Sequence, residues 1–418
     1  MVWPSMLNFK TFLKEDILLK EELLLQEAAA TKEVENDDKG KLHELLLAKY
    51  LHPDQKLPDH HRSESENDDH AGTPQQVHDR LQKKIGPAAY NEIDRHAQQT
   101  VSKLKEHLQQ AGHTGKGTHI GNVFWTSNAD KPNKPGDHEK TVGVKDVNSN
   151  ADLIVRLHNK EGKTAGHVGI SAKYGSQKPN YRNPGLESME KTAGLPRGSM
   201  KSLTDAHHEN MEKLAYQGSA DTRNIQYKID KMGVDKARVE HAKHQAILDQ
   251  GKTLSRKNKI MHEQLSEFLK VHDSLPPNKQ AAFVAKAASR AGAAEASSLE
   301  AKRAVAKHFA SGLSKKSDAE LRDIVRQHVS APTHIPHIVA HSQVKDDGSA
   351  VSHIEPSHSI ADDHLANFEN LHVVHGGGVS TTIKGIHKKT GKLTNAAIFT
   401  TKSSSGPHKG LVGTFSLG

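Results

Sequence analysis

Two short apolar runs separated by one turn constrain this chain more than any other feature. The first is Asn150-Ala151-Asp152-Leu153-Ile154-Val155-Arg156-Leu157; after Lys160-Glu161-Gly162-Lys163 comes the second, His167-Val168-Gly169-Ile170-Ser171-Ala172-Lys173-Tyr174-Gly175. Runs of this length, rich in Val, Ile and Leu and bounded by turn residues, are strand material, and the glycine-containing turn predicts an antiparallel β-hairpin. In register, the hairpin sets Asp152, entering the first strand, beside Lys173, leaving the second. An acid and an amine so placed suit a metal-assisted attack on a phosphodiester. The carboxylate would hold Mg²⁺ (or Mn²⁺), and the lysine would steer water or screen the phosphate.

An acid, a hairpin and then an x-Lys pair on the next strand resembles the core of the PD-(D/E)XK nucleases, the restriction-endonuclease-like superfamily. Ala151-Asp152 stands for the Pro-Asp and Ser171-Ala172-Lys173 for the (D/E)XK. Ala replaces Pro, and Ser171 replaces the second acid, so one metal ligand of the pattern is missing. The resemblance implies Asp152 as metal ligand, the backbone carbonyl of Ala172 as a second, Lys173 as the group orienting water, and Ser171 as a hydrogen-bond donor.

The superfamily often carries a further Glu on a helix before the hairpin, in a pattern like Gly-x-x-x-Glu followed by apolar residues. Gly40-Lys41-Leu42-His43-Glu44-Leu45-Leu46-Leu47-Ala48-Lys49-Tyr50-Leu51 fits. Leu47, Ala48 and Leu51 follow Glu44 at helical spacing, which sets this carboxylate on an apolar face, where a buried acid needs a partner or a metal. Read alone, such a Glu reaches water or pairs with a lysine; beside Asp152 and Lys173 it is read as a metal ligand.

With 418 residues, 34% hydrophobic and 4% aromatic, the chain has length for one large domain or two smaller ones but only a modest core. A net charge of +8 favours a polyanionic partner, DNA first. Absence of cysteine excludes disulfides, thiolate zinc sites and cysteine nucleophiles. The first 27 residues carry leucine patches broken by Lys and Glu, which excludes a signal peptide or membrane span and predicts an amphipathic helix over 7–30. Phe9-Lys10-Thr11-Phe12-Leu13-Lys14-Glu15 resembles the opening of many tailed-phage proteins.

Further along, residues 40–52 read as a helix and 53–73 as a mobile polar loop whose His60-His61 lack companion ligands. Ala88 to Leu108 repeats at helical spacing, Gly112 to Thr118 reads as a connector, and Gly121 to Thr126 as a strand. The polar loop 127–150 holds Asp130, Asp137 and Asp146, each able to replace the acid missing at Ser171. Past the hairpin, Lys178 and Arg182 can grip phosphates while Tyr181 stacks on a base, and Glu187 or Glu190 could be the displaced acid. Residues 199–330 are helical in period and rich in Ala, Lys, Glu and His, offering either DNA contacts or a partner surface. From 337 onward six period-two runs return. His364 to His372 is similar to an HNH nuclease but lacks its Asn and Lys spacing.

The expected fold is α+β: a central mixed β-sheet flanked by helices, with a large helical insertion. Residues 1–36 form an amphipathic segment, 37–198 the first part of a nuclease-like core, 199–330 the insertion, and 331–418 the strands completing the sheet; a separate β domain is the competing arrangement for the last part. The expected function is metal-dependent hydrolysis of DNA, by endo- or exonuclease action. The competing reading is a non-catalytic phage structural, DNA-packaging or adaptor protein, with virion or replication partners on the helical region. The expected location is intracellular, in a host cytoplasm, or virion-associated, and not in a membrane.

Overall fold

The structure of the protein, a computed structural model, describes residues 36–58, 73–126, 142, 144, 151–176, 179–214, 216–251, 253–254, 256–330, 335–403, 407 and 410–418. The segment expected to be helical over 7–30, His60-His61, Asp130, Asp137, Asp146 and Lys178 lie outside the described residues.

Three helices precede the first strand: α1 (Asn36–Leu51), α2 (Pro74–Ile85) and α3 (Pro87–Gln110). The start of α2 is encoded locally. Thr73 accepts from the Gln76 amide, the Gln76 side chain accepts from the Thr73 amide in return, and proline fills the first helical position, where no N–H is needed. Both α1 and α3 are amphipathic, and their stripes (Leu42, Leu45 and Leu46 on one, Ile93, Ala97, Val101 and Leu104 on the other) bury against the sheet that follows.

That sheet has five strands in the order β1 (His119–Trp125), β2 (Leu153–His158), β3 (Thr164–Gly175), β4 (His337–Val344), β5 (Ala350–Pro356). Its β1–β2, β2–β3 and β4–β5 pairs are antiparallel, whereas β3 and β4 run parallel, so the sheet is mixed. A parallel pair needs a long crossover. Here the crossover is a helical block: α4 (Leu186–Ala193), α5 (Ser199–Lys213), α6 (Ala220–Asp249), α7 (Arg256–Ser274), α8 (Pro277–Leu313) and α9 (Asp318–Val329).

Only β4 and β5 of the C-terminal strands join this sheet. After α10 (Ser357–Ala366), the strands β6 (Phe368–Val374), β7 (Ser380–His387), β8 (Leu393–Ser403) and β9 (Leu411–Leu417) pair with one another as a separate antiparallel sheet. This corrects the expectation that all of 331–418 completes one sheet. The cause is the apolar stripe of α8, where Ala301, Val305, Phe309 and Leu313 need a surface to bury against. Ile383, Phe399 and Phe415 provide it, and together with α4, α9 and α10 they make a second core.

Alternation along the strands gives the first sheet two unlike faces. Leu153, Val155, Ile170, Ala172, Ile338 and Ala340 point toward α1 and α3. The intervening residues, Ser171 and Lys173 on β3 with their parallel neighbours Val339 and His341 on β4, occupy the other face.

Candidate active site

Asp152 sits one residue ahead of β2, where the strand is already held on both sides: Thr126 donates its amide to the Asp152 carbonyl at 2.8 Å, and Asp152 donates its own to Ile170 at 2.8 Å. Its carboxylate turns back onto β3. Oδ2 accepts the Ala172 amide at 2.8 Å, the Ser171 hydroxyl at 3.2 Å and the Lys173 ammonium at 3.5 Å. An acid side chain thus takes the N–H of Ala172, which fixes the carboxylate to the backbone of the strand that carries the lysine. Ser171 is buried, and Asp152 and Lys173 keep 17% and 23% of their side chains exposed, enough for a substrate or ion to reach them.

The hairpin therefore gathers four of the expected site groups in one place: Asp152, Ser171, Ala172 and Lys173. A strand residue points its N–H and C=O to the same side; the Ala172 carbonyl accordingly faces the side of β3 on which Asp152 lies. One carboxylate and one carbonyl fit Mg²⁺, an ion that keeps several waters and takes the rest of its ligands from substrate phosphates. Among the described residues no three His, Cys, Asp or Glu side chains converge to hold a metal.

The other expected residues stand elsewhere. Glu44 is buried on α1, on the helix-covered face. Its carboxylate accepts the Trp125 indole N–H at 2.9 Å and pairs with Lys41 at 3.2 Å. Tyr181 and Arg182 lie along β9, with the Tyr181 amide donating to Phe415 and the Phe415 amide donating to Arg182. The Tyr181 ring packs against the second core, and burial, with the Glu355 charge reinforcing it, pushes its hydroxyl up to about 12. Its ring is spent on that core, which corrects the expectation of a base-stacking platform. Arg182 is half-buried in the wall of a cavity of about 940 Å³ that also holds Glu187, Glu190 and Asp323.

Neither Glu187 nor Glu190 replaces the missing acid. Glu190 is buried and accepts the amides of Gly198 at 2.8 Å and Met200 at 2.6 Å, satisfying the otherwise uncapped start of α5. Glu187 pairs with Arg197 at 3.0 Å on the surface.

One residue at the site escapes the sequence reading. His337 opens β4 opposite Gly169, two positions before Ser171 on the same face. Burial pushes its imidazole down to about 4, with the Asp152 charge opposing the shift and the Lys173 charge reinforcing it. Nothing local marks it, because its position depends on a parallel register spanning the whole helical block. His341, the parallel neighbour of Lys173, is also held below its ordinary value by burial, against a hydrogen bond to Gly175.

No protein-family model matches the chain, and no curated protein does. Among solved structures, the restriction endonuclease MspI in complex with its cognate DNA aligns with 80% of this chain and 82% of its own, at 12% sequence identity and a TM-score of 0.29. The class of the protein rests on its own strand order and pairing: an α+β fold with a central mixed sheet flanked by helices and a large helical region inserted between β3 and β4. Among the described residues, no helix is long and apolar enough to cross a membrane.

Proposed function

We propose that the chain is a metal-dependent nuclease hydrolysing DNA phosphodiesters, with Asp152, Ser171, Ala172 and Lys173 as its centre. The single observation that carries this reading is the Asp152–Lys173 pair, 3.5 Å apart, partly open to solvent and anchored through Ala172 to one strand. Asp152 and the Ala172 carbonyl would hold the ion. When bound, Mg²⁺ or Mn²⁺ would neutralise charge at the scissile phosphate and acidify a water.

The chain's own groups do the rest. Lys173 remains an ammonium beside the carboxylate and offers its N–H to a phosphate oxygen or to the attacking water, stabilising charge as it develops. Ser171 donates to Asp152 and so fixes the rotamer in which the carboxylate faces Ala172. The net charge of +8 supplies attraction for the DNA backbone that does not depend on these groups.

The test is cleavage of supercoiled and linear DNA by Asp152→Asn and Lys173→Met, run beside a binding assay. Cleavage is expected to fall at least about 100-fold, as for loss of one electrostatic stabiliser, while DNA affinity holds within about twofold because it is spread over many phosphate contacts. Parental cleavage rates in both variants would remove the assignment.

The replacement of the second acid by Ser171 favours a second reading, a nuclease-like fold retained as a non-catalytic DNA-packaging, virion or adaptor component. Calorimetric titration with Mn²⁺ separates the two: a degenerate site gives no Asp152-dependent heat.

A further inference from the structure

His337 is more than nine-tenths buried, and among the described residues neither of its ring nitrogens has a hydrogen-bond partner. A neutral imidazole carries one donor and one acceptor, and an interior that leaves both unused calls for a physical account. The surroundings narrow that account. Register places His337 beside Gly169, on the face of the sheet that carries Ser171 and Lys173. The ring occupies the space Gly169 leaves open: a Cβ there would lie 3.2 Å from His337 Cδ2 and 3.1 Å from the Ala151 Cβ. The imidazole also lies within the electrostatic reach of both Asp152 and Lys173.

We infer that His337 is a metal ligand of this site, supplying from the neighbouring parallel strand the donor that Ser171 does not, and that the resident ion is Mn²⁺ or Co²⁺ in preference to Mg²⁺. The inference rests on the nuclease reading of Asp152 and deepens it. A carboxylate, a carbonyl and an imidazole form a mixed oxygen and nitrogen set. Mg²⁺ favours oxygen donors, and for a given N/O site affinity rises along the first transition row. Two side chains and one carbonyl leave positions for water and for phosphate oxygens, as an open site requires. The ring is unprotonated near neutral pH, the form in which imidazole binds metals.

The experiment is Mn²⁺ titration of the full chain followed by electron paramagnetic resonance, with electron spin echo detection of nitrogen bound to the ion. Expected are one Asp152-dependent Mn²⁺, imidazole nitrogen coupling, and displacement by Co²⁺ at far lower concentration than by Mg²⁺. His337→Ala should lose the nitrogen coupling and weaken Mn²⁺ binding at least about tenfold, and His337→Asp should shift the preference back toward Mg²⁺. Because the nitrogen signal is read in the unaltered chain, it does not depend on the variants folding. Asp152-dependent binding without nitrogen coupling, or with unchanged affinity in a folded His337→Ala, overturns this inference and leaves the nuclease reading standing. Mn²⁺ binding unaffected by Asp152→Ala, or no binding at all, overturns both.

Discussion

At the residue scale, the structure divides two acids that the sequence treats alike. Asp152 turns its carboxylate onto β3 and a lysine; Glu44 gives its own to an indole and to Lys41 beneath two helices. Different substitutions should therefore separate their roles. Glu44→Ala removes an acceptor from the buried Trp125 N–H and is expected to destabilise the fold by about 1–3 kcal/mol in denaturant unfolding. Glu44→Gln keeps an oxygen there and should lose less than half as much. It should also leave Mn²⁺ affinity within about twofold, where loss of a ligand or its support would shift it 10- to 100-fold. The Asp152–Lys173 pair was legible in the sequence because a hairpin is a local object: turn, alternation and register lie within one short stretch. His337 was not, since a parallel neighbour is chosen by tertiary packing.

Elements show the same division. The positions of β6 to β9 follow from period-two alternation, yet nothing in that pattern says which sheet a strand enters. What decides it is the stripe on α8, which needs an apolar surface to cover it. Glycine in this helix makes the packing measurable. Gly312 lies where a Cβ would come within 2.7 Å of the Ala193 carbonyl oxygen, whereas Gly292 has nothing within 4 Å. Alanine at either site gains about 1 kcal/mol of helix propensity. At Gly292 that gain should appear as a rise in stability. At Gly312, forcing α8 away from the end of α4 costs about 1–3 kcal/mol, so Gly312→Ala is expected to lower the unfolding midpoint. Equal effects at the two positions would show that α8 does not press on α4 this closely.

Across the whole molecule, the 31 histidines set the response to acid. Where burial shifts them it does so downward, as at His43, His328 and His337. His328 is packed between Phe399 and Phe415, at ring separations of 5.0 and 5.1 Å, and held down to about 4. Unfolded, it takes its proton near 6.5, so between these values the unfolded chain binds more protons than the folded one. Stability is then complete above about pH 6.5 and falls as pH drops toward 4, by about 3 kcal/mol for this residue. Denaturant unfolding at pH 7, 6 and 5 should show the decline, and His328→Phe, which keeps a ring in the gap, should flatten part of it. A pH-independent stability over that range would mean that His328 stays protonated in the folded state.

The parallel seam between β3 and β4 has a consequence for how the protein is made. As the nascent chain leaves the ribosome, the hairpin bearing the acid and the lysine emerges first, and its neighbouring strand follows only after the entire helical block has been translated. Closing that seam is a long-range event, of the kind that slows folding. Whatever chemistry the acid and lysine perform, the strand beside them is among the last pieces to reach its place.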